Sequence, residues 1–213
     1  MAIGMAFIAM FGVIAVLEAG ARWAEAHSYF SWETSLLRAI ETHSPISFST
    51  AIWLQTIGTD ITLALLVVVT AGISAWNRRP ITALSIILAM AVLDIVVRFG
   101  WTLWDRTRPD LIAQGMASPD FHSFPSGHTA KSVAVYGFLA ALWWRATRQP
   151  AERAFILFLF GLVLLIVPYG RLRMGVHWPT DILGGYLVGL IWLIFLLWAE
   201  HWERRIAYSV EPG

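Results

Sequence analysis

Read for hydropathy alone, the chain alternates long apolar windows with short clusters of charge. Six windows, at about residues 3–19, 59–76, 81–99, 127–145, 154–169 and 180–199, are long enough to cross a hydrocarbon layer of roughly 30 Å at about 1.5 Å per residue. The pattern predicts an all-α fold, an integral-membrane six-transmembrane-helix bundle. Between the first two windows, Trp32, Leu36, Leu37 and Ile40 recur at helical spacing, with Glu33, Arg38 and Glu41 between them. That spacing predicts one interfacial amphipathic helix within residues 31–48. The first window is read as a span rather than a signal peptide. Ala19-Gly20-Ala21 resembles a cleavage site, but no Lys or Arg precedes the window, and the leading region of a signal peptide is positive. No repeat, low-complexity tract or separate soluble domain interrupts the pattern, so residues 1–213 are taken as a single transmembrane domain. Gly185 and Gly189 give the last window a face of small residues suited to close helix packing.

Composition agrees with this pattern. Hydrophobic residues make up 58% of the chain and charged residues 14%, where a soluble domain carries about 25% charged. The net charge of +1 suggests no nucleic-acid partner. The absence of cysteine excludes disulfides and thiolate metal sites. Trp76, Trp101, Trp104, Trp143, Trp144, Trp178, Trp198 and Trp202 cluster near window ends, as an aromatic belt at the lipid–water boundary would; Trp53 and Trp192 also fit a core.

Six spans place both termini on one side. That side receives Arg78, Arg79, Arg145, Arg148, Arg153, Arg204 and Arg205, and is therefore read as cytoplasmic. The opposite side holds an equal number of arginines. Several of them, however, belong to a set of polar residues that converge there. Arg106 and Arg108 follow window three, Ser126 and His128 open window four, Arg171 and Arg173 follow window five, and His177 and Asp181 open window six. In an up-and-down arrangement all four places fall on one face of the membrane.

These residue types suit phosphate. Arginine offers a planar fork of donors and stays charged. Pro125-Ser126-Gly127 leads into a helix N-terminus, whose N–H groups and dipole favour an anion, and Gly127 permits close approach of the backbone. Pro179 suits the first turn of the last helix. Asp181, four residues after His177, can hold one imidazole nitrogen and leave the other nucleophilic. Pro168 is expected to bend the fifth helix toward this site. A metal site built from His122, His128, His177 and Asp181 is disfavoured, because no zinc-hydrolase spacing is present and the arginines would repel a cation.

Arg106-Thr107-Arg108-Pro109, then Pro125-Ser126-Gly127-His128, then Arg171 with His177 and Asp181 in step, resemble the three signature motifs of the type 2 phosphatidic acid phosphatase (PAP2) superfamily. The motif region spans residues 98–181. The resemblance implies a metal-independent lipid phosphate phosphatase without cofactors. His177 would attack phosphorus and become a phosphohistidine, Asp181 would orient it, and His128 would protonate the leaving oxygen and then activate water. Arg108, Arg171, Ser126 and the Gly127 amide would hold the phosphoryl oxygens. The partners implied are a membrane lipid phosphate and the bilayer, with no obligate protein partner. Candidate substrates are phosphatidic acid, phosphatidylglycerophosphate, undecaprenyl diphosphate and lipid A phosphates. The implied location is the bacterial inner membrane, with the site toward the outer, periplasmic face. A lipid phosphotransferase using the same histidines, or a non-catalytic transporter or scaffold, would share the pattern.

The chain departs from the family pattern twice. Trp101 stands where the first motif begins with lysine, and Gly170 where the third has serine. Lys131, the chain's one lysine, lies three residues after His128 and so one turn deeper on nearly the same face. A lone lysine in lipid faces a polar interior, so Lys131 is expected to supply the missing phosphate-binding cation, with Arg98 the rival. Asp60 reads as a helix cap.

Overall fold

The computed structural model describes residues 2–112 and 122–210; residues 113–121, inside the motif region, lie outside the described residues. Eight α-helices follow in order: α1 (Ala2–Ala26), α2 (Trp32–His43), α3 (Phe48–Gln55), α4 (Asp60–Trp76), α5 (Pro80–Leu103), α6 (Gly127–Ala146), α7 (Pro150–Arg173) and α8 (Pro179–Val210). No strand occurs among the described residues. Proline opens α5, α7 and α8, where its fixed φ fits and its missing N–H is not needed. The chain leaves α7 through Gly175, whose φ of 68° is in the region that favours glycine. Gly175 N–H bonds back to the Leu172 carbonyl, and Val176 N–H to that of Arg171. This turn delivers His177 directly after the helix.

Four stretches of the described residues are long and apolar enough to cross a membrane: Phe48–Trp76, Pro80–Leu103, Pro150–Arg173 and Pro179–Ile206. α6 is not among them; its first turns carry His128, Thr129, Lys131 and Ser132, which lower its mean hydropathy. It is rich in Gly, Ala, Ser and Thr and is enclosed by its neighbours; Ala130, Val133, Ala134, Val135 and Phe138 are all buried. Its seam with α8 is built on glycine. A Cβ on Gly185 would lie 2.6 Å from the Ser126 carbonyl oxygen, and one on Gly189 2.5 Å from that of Ala130. Only missing side chains let the two backbones approach this closely. α4 and α7, by contrast, leave Ile61, Leu65, Val68, Leu157, Phe158 and Leu165 exposed on their outer sides, faces suited to lipid rather than water.

α7 continues through Pro168 to Arg173, so Arg171 and Arg173 project from its last turn rather than following the helix. Proline at this position leaves the Leu164 carbonyl without its helical donor. The Tyr186 hydroxyl of α8 donates to that carbonyl instead. Of the two tryptophans that also fitted a core, Trp192 is buried and Trp53 is exposed.

α5 is capped from both ends by other helices. The Glu203 carboxylate of α8 accepts from the Ile81 and Thr82 N–H groups at 2.7 and 3.0 Å, a negative charge on a helix N-terminus. Arg22 of α1 donates to the Leu103 carbonyl at the other end, at 3.1 Å. Beside Glu203, the buried Glu200 pairs with Arg145 and Arg204.

Candidate active site

His177 lies in the α7–α8 turn and is 1% exposed. Its Nδ1 is 3.0 Å from the Ser123 carbonyl oxygen. A carbonyl only accepts, so Nδ1 carries the proton and the lone pair of a neutral ring is on Nε2. Asp181 Oδ2 is farther, 3.4 Å from Nδ1. The carboxylate and the Ser123 carbonyl thus both address Nδ1, the carbonyl at the shorter distance. Asp181 is itself held on both oxygens: Arg106 Nη1 donates to Oδ1 at 2.7 Å, and Trp178 N–H at 2.6 Å and the Ser123 hydroxyl donate to Oδ2. Burial pushes the His177 imidazole down to about pKa 4; Asp181 opposes this, and Arg171 and Arg108 add to it.

His128 is the second residue of α6. The N-cap Ser126 is buried, and its side chain makes no bond to the helix N–H groups; its Oγ accepts from Thr129 Oγ1 instead, at 3.1 Å. The first-turn donors of α6 therefore have no side-chain cap. Ser126 N–H donates to the Asp181 carbonyl at 3.0 Å, which ties this loop to α8. Arg171, His177, Lys131 and Arg108 all lie close enough to His128 for their charges to act on it.

Arg171, in the last turn of α7, is buried. Its Nη1 donates to Gln55 Oε1 at 3.4 Å, and its buried Nε finds no partner among the described residues. Arg108 follows α5; burial pulls its guanidinium below the ordinary value against the attraction of Asp181.

Arg106 has a different task. It donates to Asp181, to Glu33 at 2.6 Å, to Thr180 Oγ1 at 2.7 Å and to Glu25 at 3.1 Å. The rings of Trp104, Trp178 and Phe30 surround it. Burial acts to lower its pKa, but Asp181 and Glu33 outweigh that and hold it above the ordinary value.

Lys131 is buried, and its ammonium pairs with Asp60 and, at 3.4 Å, with Asp94. Asp94 also takes Arg98 Nε at 2.6 Å, so the lysine and its rival share one carboxylate. The capping bond to a helix N–H is not what Asp60 supplies; its carboxylate holds Lys131. At the position of the missing lysine, Trp101 Nε1 donates to the Pro125 carbonyl at 3.4 Å. At Gly170 an added Cβ would meet Gln55 Cβ at 2.8 Å and the Ala51 carbonyl oxygen at 3.1 Å.

The family model of the PAP2 superfamily matches residues 82–205, more than half of the chain. The chain belongs to the PAP2 superfamily. Phosphatidylglycerophosphatase B of Bacillus subtilis (strain 168) is 28% identical over 156 residues, covering 68% of this chain and 74% of that protein. An undecaprenyl-diphosphatase of Sulfolobus acidocaldarius is 32% identical over 81 residues, 37% of this chain and 33% of the relative. The crystal structure of a transmembrane PAP2 type phosphatidylglycerolphosphate phosphatase from Bacillus subtilis matches with a TM-score of 0.72 and 19% identity, covering 96% of this chain and 97% of that one. The chain is thus a PAP2 membrane protein of the phosphatase family.

Three residues of this PAP2 site escaped the sequence reading. Ser123 lies just before the recognised Pro125-Ser126-Gly127-His128 run and works mainly through its carbonyl, which no sequence reveals. Glu33 reads as part of the polar face of α2, yet it is buried and accepts from Thr180 N–H at 2.8 Å, from the Thr180 hydroxyl at 2.7 Å and from Arg106. Gln55 ends α3, a short helix between the amphipathic segment and the second window. His122, weighed above as a metal ligand, has Nδ1 2.7 Å from Asp105 Oδ1. Among the described residues no three His, Asp or Glu side chains are grouped to hold a metal ion.

Proposed function

We propose that this protein hydrolyses the phosphate monoester or diphosphate headgroup of a membrane lipid through a phosphohistidine on His177. The observation that carries the reading is the Nδ1 bond of His177 to the Ser123 carbonyl. It fixes the tautomer whose Nε2 lone pair is available, beside two arginines and the N-terminus of α6.

In the first step Nε2 attacks phosphorus, a P–N bond forms and the P–O bond to the lipid breaks. His128, protonated once the anionic headgroup sits beside it and offsets the surrounding cations, gives its proton to the departing oxygen. In the second step water attacks the phosphohistidine, His128 takes the water's proton, and the P–N bond breaks to release phosphate and restore His177. Arg108, Arg171, Ser126 and the Gly127 N–H hold the equatorial oxygens, whose charge changes most at the transition state. Lys131 adds a cation one turn deeper, once phosphate competes with Asp60 for it. Asp181 keeps the Ser123 carbonyl and the α8 N-terminus in place behind the nucleophile. No step requires a metal.

The six long helices α1, α4, α5, α6, α7 and α8 cross the bilayer, and α2 lies at its surface beside the site. The site faces the outer, periplasmic side of the inner membrane, and both termini are cytoplasmic. Support comes from Arg78, Arg79, Arg145, Arg148, Arg153, Arg204 and Arg205, which all belong to the ends of helices remote from His177. The relatives' names point to phosphatidylglycerophosphate and undecaprenyl diphosphate as the first substrates to try.

Phosphate release in detergent from phosphatidic acid, phosphatidylglycerophosphate and undecaprenyl diphosphate tests the reading, with excess chelator present. Release is expected to persist with chelator and to vanish in His177→Ala, while His128→Ala slows it by roughly 10²–10⁴. Loss of release on chelation would overturn the histidine mechanism.

A further inference from the structure

α3 is the least conspicuous helix of the molecule, and its contacts are concentrated on one place. It starts at a capped N-terminus, where Ser47 Oγ accepts from Thr50 N–H at 3.1 Å. From there it lies along the last turns of α7, where Tyr169, Gly170 and Arg171 follow one another. Ser44, in the α2–α3 link, is 2.7 Å from the Tyr169 hydroxyl. Gly170 has no Cβ, and that absence lets Ala51 and Gln55 sit against the α7 backbone. Gln55, 7% exposed, then reaches Arg171.

The geometry of the guanidinium gives this contact its meaning. Arginine binds a phosphate best through two parallel N–H groups on one edge of its plane. In Arg171, Nη1 is engaged by Gln55 Oε1, whereas Nε is buried and unpartnered among the described residues. A buried N–H without an acceptor is costly, so the arrangement is complete only when an anion arrives on the Nε side. An arginine tethered at one corner can present its opposite edge in one orientation; an untethered one would sample several.

We infer that Gln55 is a positioning residue for the phosphoryl group: it clamps Arg171 by Nη1 so that the Nε edge faces the phosphate. This rests on the reading of Arg171 as a phosphate-holding residue. Gly170 is part of the device, since any side chain there would push α3, and Gln55 with it, away from α7. α3 thereby acts as a splint for the third motif, supplied by a part of the chain that precedes all three motifs.

The test uses Gln55→Met, which keeps the shape and removes the acceptor, in the wild-type and Arg171→Lys backgrounds. Two quantities are measured on the purified full chain in detergent: affinity for inorganic phosphate by calorimetry, and kcat and KM on a short-chain lipid phosphate. Folding is checked by melting temperature. Gln55→Met is expected to weaken phosphate binding and kcat/KM by roughly ten- to a hundredfold, the range for a hydrogen bond to a charged group, with an unchanged melt. In Arg171→Lys, which has no fork to orient, the same substitution is expected to change either value by less than about twofold. Gly170→Ala, which displaces Gln55 without altering its chemistry, should reproduce the single-variant loss and serves as the second probe should Gln55→Met not fold. Equal losses in both backgrounds, or unaltered phosphate affinity in Gln55→Met and Gly170→Ala, would overturn the inference. Wild-type protein that binds phosphate but releases none from lipid would instead sink the phosphatase reading, and the binding measurement would still decide on Gln55.

Discussion

His177 is buried, and its Nδ1–H donates to the Ser123 carbonyl. Burial favours the uncharged ring, Asp181 opposes that, and Arg171 and Arg108 add to it. The sign of the resulting pH dependence follows from the pKa of about 4, below the ordinary imidazole value of about 6.5. Between those values the unfolded chain binds a proton that the folded chain does not, so folding stability falls as pH falls through that window. His177→Gln, which removes the titrating group, is expected to flatten the acid limb of the melting-temperature profile between pH 6.5 and 4; an unchanged limb would assign it to other groups. The motif residues could be picked out in the sequence by their order and spacing, and the structure brings His128, His177, Arg108 and Arg171 close to one another. Ser123, Glu33 and Gln55 could not, because a carbonyl, a buried carboxylate and an amide become relevant only once distant segments are brought beside Asp181, Arg106 and Arg171.

At the scale of elements, α2 shows how an amphipathic pattern can be read correctly as helix and incompletely as surface. The expected helix within 31–48 is present as Trp32–His43, and it is Leu37, not the neighbouring Leu36, that is buried. Glu33 turns inward because Arg106 and the first turn of α8 offer it a cation and two donors, which outweighs burial of one carboxylate. Glu33→Ala leaves Arg106 short of a partner and Thr180 N–H without an acceptor. The expected destabilisation is about 3–5 kcal/mol, read as a lowered melting temperature in detergent, whereas Glu41→Ala on the same helix is expected to have little effect. α3 was missed because its eight residues fall between the amphipathic segment and the window at 59–76, and Ser49, Thr50 and Gln55 break up an apolar run too short to count as a window. The apolar window ended at about residue 169, but α7 runs on through Pro168 to Arg173, with the Tyr186 hydroxyl donating to the Leu164 carbonyl that proline leaves without a helical donor.

For the molecule as a whole, the all-helical membrane character was legible because long apolar runs have few alternatives, and four of the described stretches are long and apolar enough to cross a membrane. The depth of the α6–α8 crossing was legible only as a pair of glycines. Gly189→Val is expected to separate these helices and abolish recovery of monodisperse protein, while Gly161→Val, where a Cβ would meet nothing within 4 Å, should leave recovery intact. α8 carries Asp181 at one end and Glu200 and Glu203 at the other. Asp181 is fastened to Arg106, Ser123 and Trp178; Glu200 and Glu203 are fastened to Arg145, Arg204 and the start of α5. In mechanical terms it is a tie-rod, anchored at both ends and packed between them through Gly185, Gly189, Val188, Trp192 and Leu196, with the Tyr186 hydroxyl on the Leu164 carbonyl. Such a member resists twisting about its own axis, since both anchors would have to yield together. A bilayer that thins or thickens around the waist can tilt the outer helices, while Asp181 stays tied to Arg106, Ser123 and Trp178.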